Sequence, residues 1–202
     1  MINQIIRKTL ERIYGKMNAS ALSPEQKAKI ESIVDDKIKE FGLDTPRFDL
    51  IKFLKEKENF EIVLQRMPDD TTGLIIINDN EIIQGMNTHK LIAVNDNLQK
   101  DPNYIQRRRF IVAHEYAHSI LHKNQSVLFA HRDTDKKDTY TEQEADFFAR
   151  CLLMPRSLIE SVKKSETYNK LSDSEKIPYI CQIFNVTEKK AKQRLKELES
   201  NA

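Results

Sequence analysis

The chain has 202 residues, with 33 basic and 31 acidic side chains and a formal charge of +2. That balance excludes polyanion binding driven by bulk charge, though not by a local patch. An apolar fraction of 39%, with no run near the roughly 20 apolar residues of a spanning helix, leaves no expected membrane role. Four glycines in the whole chain, against a usual share of about 7%, favour helix over a turn-rich all-β fold. Cys151 and Cys181 are the only cysteines. They are too few for a disulfide framework or a four-cysteine metal site, and read as reduced thiols of a cytoplasmic protein.

In chain order, Ile2, Ile6, Leu10, Ile13 and Met17 recur at steps of four and three, which predicts an amphipathic helix. Arg7, Lys8, Glu11 and Arg12 break up its apolar residues, so no signal peptide is expected. Ser23-Pro24-Glu25-Gln26 predicts a helix start with a capping box and Pro in the first turn. Ile30, Ile33, Val34, Ile38 and Phe41 form its stripe, and Gly42 ends it. Thr45-Pro46 is expected to open a further helix carrying Leu50, Ile51 and Leu54.

At residue 60 the pattern changes. Phe60–Met67, Leu74–Ile77 and Leu91–Val94 read as strands, and Glu81–Ile83 after Asn78-Asp79-Asn80 suggests a hairpin. Helical spacing returns from Ile105 to His122. A polar stretch, Asp133–Thr141, separates that helix from another ending before Pro155. Residues 155–165 continue as a short helix, and 173–200 as two. The fold class is α+β: mostly helical, with a small three- to four-stranded sheet. The organisation is an N-terminal helical extension over 1–22, a central domain over 23–165 and a C-terminal helical pair over 166–202.

His114-Glu115-Tyr116-Ala117-His118 is an H-E-x-x-H sequence inside a helical pattern. Histidines at i and i+4 project from one face, near enough to share a metal ion, and neutral imidazoles suit zinc. Glu115 is placed to act as acid/base on a water at the metal, not as a ligand. The plain alternative is a pair of partly exposed helix histidines. The flanking Ile111, Val112, Ile120 and Leu121 argue instead for a buried helix, where two histidines and a glutamate without a ligand would be costly.

A catalytic zinc site usually has three protein ligands. His122 lies about 12 Å along the axis from His114 at 1.5 Å per residue, too far to share the ion, and reads as structural. In Thr141-Glu142-Gln143-Glu144-Ala145-Asp146, Glu142 and Asp146 share an inward face with Ala145 and Ala149. Glu144 points elsewhere and has a place in a Thr141-x-x-Glu144 capping box. Glu142 is therefore the expected third ligand, and Asp146 the acceptor for a ligand histidine's free ring N–H. His131 and Tyr140 are candidate oxyanion donors.

Two stretches resemble the ImmA/IrrE family of metallo-endopeptidases. One is Arg108-Arg109-Phe110-Ile111-Val112-Ala113-His114-Glu115-Tyr116-Ala117-His118 with Leu121-His122; the other is Glu142-x-x-Ala145-Asp146-x-Phe148-Ala149-x-x-Leu152-Leu153-Met154-Pro155. The resemblance implies a zincin-like domain with one gluzincin-like Zn2+ site per chain, held by His114, His118 and Glu142 with Glu115 as catalytic acid/base. It also implies a substrate class: helix-turn-helix repressors of phage, mobile elements or stress regulons, cut to relieve repression. Two other readings remain open. The chain could sequester a repressor without cutting it, or bind DNA through residues 177–199. There, Lys189, Lys190, Lys192, Arg194 and Lys196 are offset by Glu188, Glu197 and Glu199, so no strong nucleic-acid binding is expected. These helices are expected to hold or present the protein substrate.

Overall fold

The computed structural model describes residues 21–78, 82–83, 88–122, 128–132 and 140–199, with backbone alone for 128–132. The expected helix over 2–17 lies outside the described residues. Helix α1 (Pro24–Phe41) starts at the predicted capping box: Gln26 N–H donates to Ser23 Oγ, and Ser23 N–H donates to Gln26 Oε1 at 2.8 Å. It ends at Gly42, whose φ of 63° is the left-handed conformation a side chain would disfavour. The second helix starts later than its Thr45-Pro46 signal. Residues 45–48 form a turn that buries Phe48, and α2 (Leu50–Lys57) begins behind Asp49, whose carboxylate accepts the Lys52 N–H at 3.0 Å. Asp is among the strongest N-caps, and a start at Leu50 buries Leu50, Phe53 and Leu54 together.

Strands β1 (Phe60–Gln65), β2 (Thr71–Ile77), β3 (Lys90–Asn95) and β4 (Leu128–Arg132) make one sheet in the order β1-β3-β2-β4. β1 runs parallel to β3, and β2 runs antiparallel to both β3 and β4. Among the described residues, the expected hairpin to Glu81–Ile83 has no second strand. Ile82 and Ile83 are in no strand, Ile82 is exposed, and Glu81 lies outside the described residues. The partner of β2 is β3, whose run of Leu91, Ile92, Ala93 and Val94 is buried throughout, as an inner strand requires. β4, which its sequence does not announce, completes the other side of β2.

Ile62, Ile75, Ile92 and Val94 belong to the main core, while Met67, Leu74 and Ala93 form a small separate cluster. Helix α3 (Tyr104–Leu121) lies between the sheet and α4 (Tyr140–Leu153), in contact with both. Residues 110–119 of α3 are all buried. The fold is thus α+β, with the H-E-x-x-H helix against the sheet.

After α4 come α5 (Arg156–Lys164), a single turn α6 (Glu166–Asn169), α7 (Asp173–Phe184) and α8 (Glu188–Glu199). Ile180, Phe184, Ala191, Leu195 and Leu198 join the same core as α3 and α4. Two of the basic residues expected to face a substrate turn inward instead. Arg194 is 1% exposed; its Nε–H donates to the Met154 carbonyl at 3.1 Å, and its guanidinium pairs with Glu31. Lys190 reaches Asp146 at 3.1 Å. The polar ends of these long side chains are used within the fold, because α8 packs against α4. No described helix is long and apolar enough to cross a membrane.

Candidate metal centre

The i, i+4 spacing on α3 brings the His114 and His118 rings to 4.9 Å between centroids, both buried. Glu142, in the first turn of α4, faces them. Its Oε2 is 3.1 Å from His114 Nε2, its Oε1 is 3.3 Å from His118 Nε2, and the two Nε2 atoms are 3.1 Å apart. Two metal bonds of about 2.0–2.1 Å at a tetrahedral angle put their donor atoms roughly 3.3–3.4 Å apart. The two Nε2 atoms and the Glu142 carboxylate are therefore about as far apart as ligands of one ion, with one oxygen near each ring, and the residues present fit a divalent ion.

The other ring nitrogens are held as metal ligation requires. His114 Nδ1 lies 2.9 Å from Asp146 Oδ1. A carboxylate accepts there, so Nδ1 carries the proton and Nε2 presents its lone pair. His118 Nδ1 lies 3.0 Å from His122 Nδ1, and His122 Nε2 lies 3.0 Å from Glu144 Oε2. One polarity satisfies the chain: His122 donates from Nε2 to Glu144, accepts at Nδ1 from His118, and leaves His118 Nε2 free to coordinate. Two Nε2 lone pairs and a carboxylate then converge on one point, which calls for a cation.

Without a metal, a proton fills that need. Burial pushes the His114 imidazole down, but Asp146 and Glu142 outweigh burial and hold it up at about 9. Burial, reinforced by the nearby His114 charge, pushes His118 down to about 4 against the pull of Glu142.

Glu115 is fully buried on α3, where its Oε1 faces Gly73 of β2. The structure brings His114, His118 and Glu142 together, with Asp146 on His114. Glu144 is turned to His122. The helix begins at Tyr140, so Thr141 already lies inside the first turn and is not the cap expected of it. Tyr140 stands two residues before Glu142, its hydroxyl shielded from solvent and without a hydrogen-bond partner among the described residues. His131 is paired in backbone register with Gly73, and its side chain is outside the described residues. His122 is structural, as expected, and outside the triad, but its bond to His118 is one that sequence reasoning missed, and Lys190 is a contributor that it misassigned. The repeat of histidine at 114, 118 and 122 was the signal for the first, whereas Lys190 is 44 residues from its partner Asp146.

A search of curated proteins returns no match to the chain. Comparison with protein-family models matches residues 57–196 to the IrrE N-terminal-like domain, Peptidase M78. The matched span runs from the end of α2 into α8 and includes every residue of the triad and its supports. With that span covering more than half of the sequence, the chain belongs to the ImmA/IrrE metallopeptidase family.

Proposed function

We propose that the protein is a zinc-dependent endopeptidase that cleaves a helix-turn-helix repressor to relieve repression. The observation that carries this reading is the convergence of two buried imidazoles and one half-buried carboxylate at ligand spacing, with Glu115 adjacent in sequence to a ligand. Nitrogen and oxygen donors in a set of three suit zinc with a position left open for chemistry. When bound, the ion would polarise the scissile carbonyl and acidify water.

The chain supplies the rest. His114, His118 and Glu142 hold the ion. Glu115 takes the proton of the attacking water and passes it to the leaving amine. Asp146 and the His122–Glu144 pair fix the two imidazoles in the coordinating tautomer. The repressor class rests on the family resemblance, and the near-neutral charge agrees with a protein substrate rather than DNA. Two unpaired thiols, one of them in Cys151 and pushed up to about 12 by burial, suit a reducing cytoplasm.

The test is incubation of the purified protein and zinc with the repressor encoded beside its gene, followed by mass analysis of fragments. Discrete fragments that disappear with Glu115→Gln are expected. A stable complex with uncut repressor would replace this reading with sequestration.

A further inference from the structure

We propose that Lys190, on the last helix, is a positioning residue for the metal centre: it fixes the Asp146 carboxylate that orients His114. This deepens the proposed function and rests on the triad being a metal site. Asp146 uses its two oxygens separately. Oδ1 takes the His114 Nδ1–H at 2.9 Å, and Oδ2 takes Lys190 Nζ at 3.1 Å. The side chains of Asp146 and Lys190 are 9% and 15% exposed, so the pair is shielded from water and salt.

Lys190 is itself held in place. Its Nζ lies 3.7 Å from the centroid of the Phe110 ring, and Phe110 is one helical turn before His114 on α3. One ammonium thus touches an aromatic face of the helix that carries the ligand and the carboxylate that steers that ligand. A cation over an aromatic face adds to the hold.

Among the described residues, Arg150 is a second cation at Asp146, and it is no substitute. It reaches Oδ2 only at 3.5 Å, while its Nη2 and Nε are engaged with Glu197 at 2.7 and 2.9 Å. Without Lys190, Oδ2 loses its 3.1 Å partner and the carboxylate turns about its own χ2 toward Arg150. That rotation draws Oδ1 away from His114 and loosens the direction of its Nε2 lone pair. Outer groups that orient a metal-binding histidine are typically worth 10–100-fold in affinity.

The experiment is zinc competition with a chromophoric chelator on the full chain, comparing wild type with Lys190→Met, Lys190→Gln and Lys190→Arg. Lys192→Met, exposed on the same helix, serves as control. Thermal unfolding of each metal-free protein is followed in parallel. Lys190→Met and Lys190→Gln are expected to weaken zinc binding by about tenfold, with Lys190→Arg recovering most of it and Lys192→Met unchanged. Cobalt(II) spectra of the folded variants should shift as the ligand geometry loosens. Wild-type affinity and an unaltered cobalt spectrum in Lys190→Met would overturn the inference. So would an affinity loss no larger than the fraction of protein unfolded. Failure of the wild type itself to bind zinc would remove the metal-centre reading instead, a separate outcome.

Discussion

Gly73 of β2 lies so near Glu115 of α3 that a Cβ on the glycine would sit 3.0 Å from Glu115 Oε1 and 2.4 Å from Ile111 Cγ2. The missing side chain is what lets the sheet close on the helix at the level of the proposed acid/base. Gly73→Ala must displace Ile111, Glu115 or the strand. Overpacking of this kind costs about 1–3 kcal/mol. Thermal unfolding should show that loss, and peptide cleavage by the folded fraction should fall as Glu115 moves. Full turnover by Gly73→Ala would mean that the carboxylate's place is not set by this contact.

Glu115→Gln should leave metal content unchanged, because the residue is outside the triad. Its cleavage rate should drop by about 10²–10⁴-fold, the usual weight of a general acid/base. Metal analysis and fragment assays on the same sample separate the two effects. Near-normal cleavage would remove Glu115 from the mechanism.

Glu142→Ala and Glu144→Ala distinguish a ligand from a group acting at one remove. The first should lose zinc at concentrations where wild type is saturated. The second keeps all three ligand atoms but leaves His122 without its acceptor, and should weaken zinc by about 10–100-fold. Retention by Glu142→Ala together with loss by Glu144→Ala would reverse the assignment.

Glu31 gives a pH-dependent test away from the metal. Burial alone would raise its pKa, but Arg194 and Arg156 outweigh burial and hold it below the ordinary 4.5. A folded-state pKa depressed in this way gives stability that is present above the unfolded value and lost as pH falls through the folded one. Glu31→Gln strands the buried Arg194 and should cost about 3 kcal/mol near neutrality. In urea titrations the gap to wild type should shrink steadily below pH 4.5. A gap that stays constant down to acid pH would show that the ion pair contributes nothing.

Much of the fold could be read from local chemistry. The Ser23–Gln26 box, Gly42 and the inward spacing of His114, His118, Glu142 and Asp146 follow from rules that act within one or two helical turns. What could not be read depends on distant partners. β4 owes its existence to the open side of β2, and β2 pairs with β3 across a connection of a dozen residues. Lys190 and Arg194 were expected to face a substrate, and only the meeting of α8 with α4 and α1 shows their inward partners. His122 was placed by its distance from His114 along the helix. Its ring bonds to His118, one turn away, and so supports the centre without joining it.

The Arg194–Glu31 pair joins residues 163 positions apart in sequence. During synthesis α1 leaves the ribosome well before α8 exists, and its carboxylate and apolar stripe must wait for a partner. The histidines and the glutamate of the H-E-x-x-H helix likewise precede Lys190. A nascent chain therefore carries the hydrolytic motif before it carries the helix that braces it. The order of translation thus leaves the Lys190–Asp146 and Arg194–Glu31 pairs to form last.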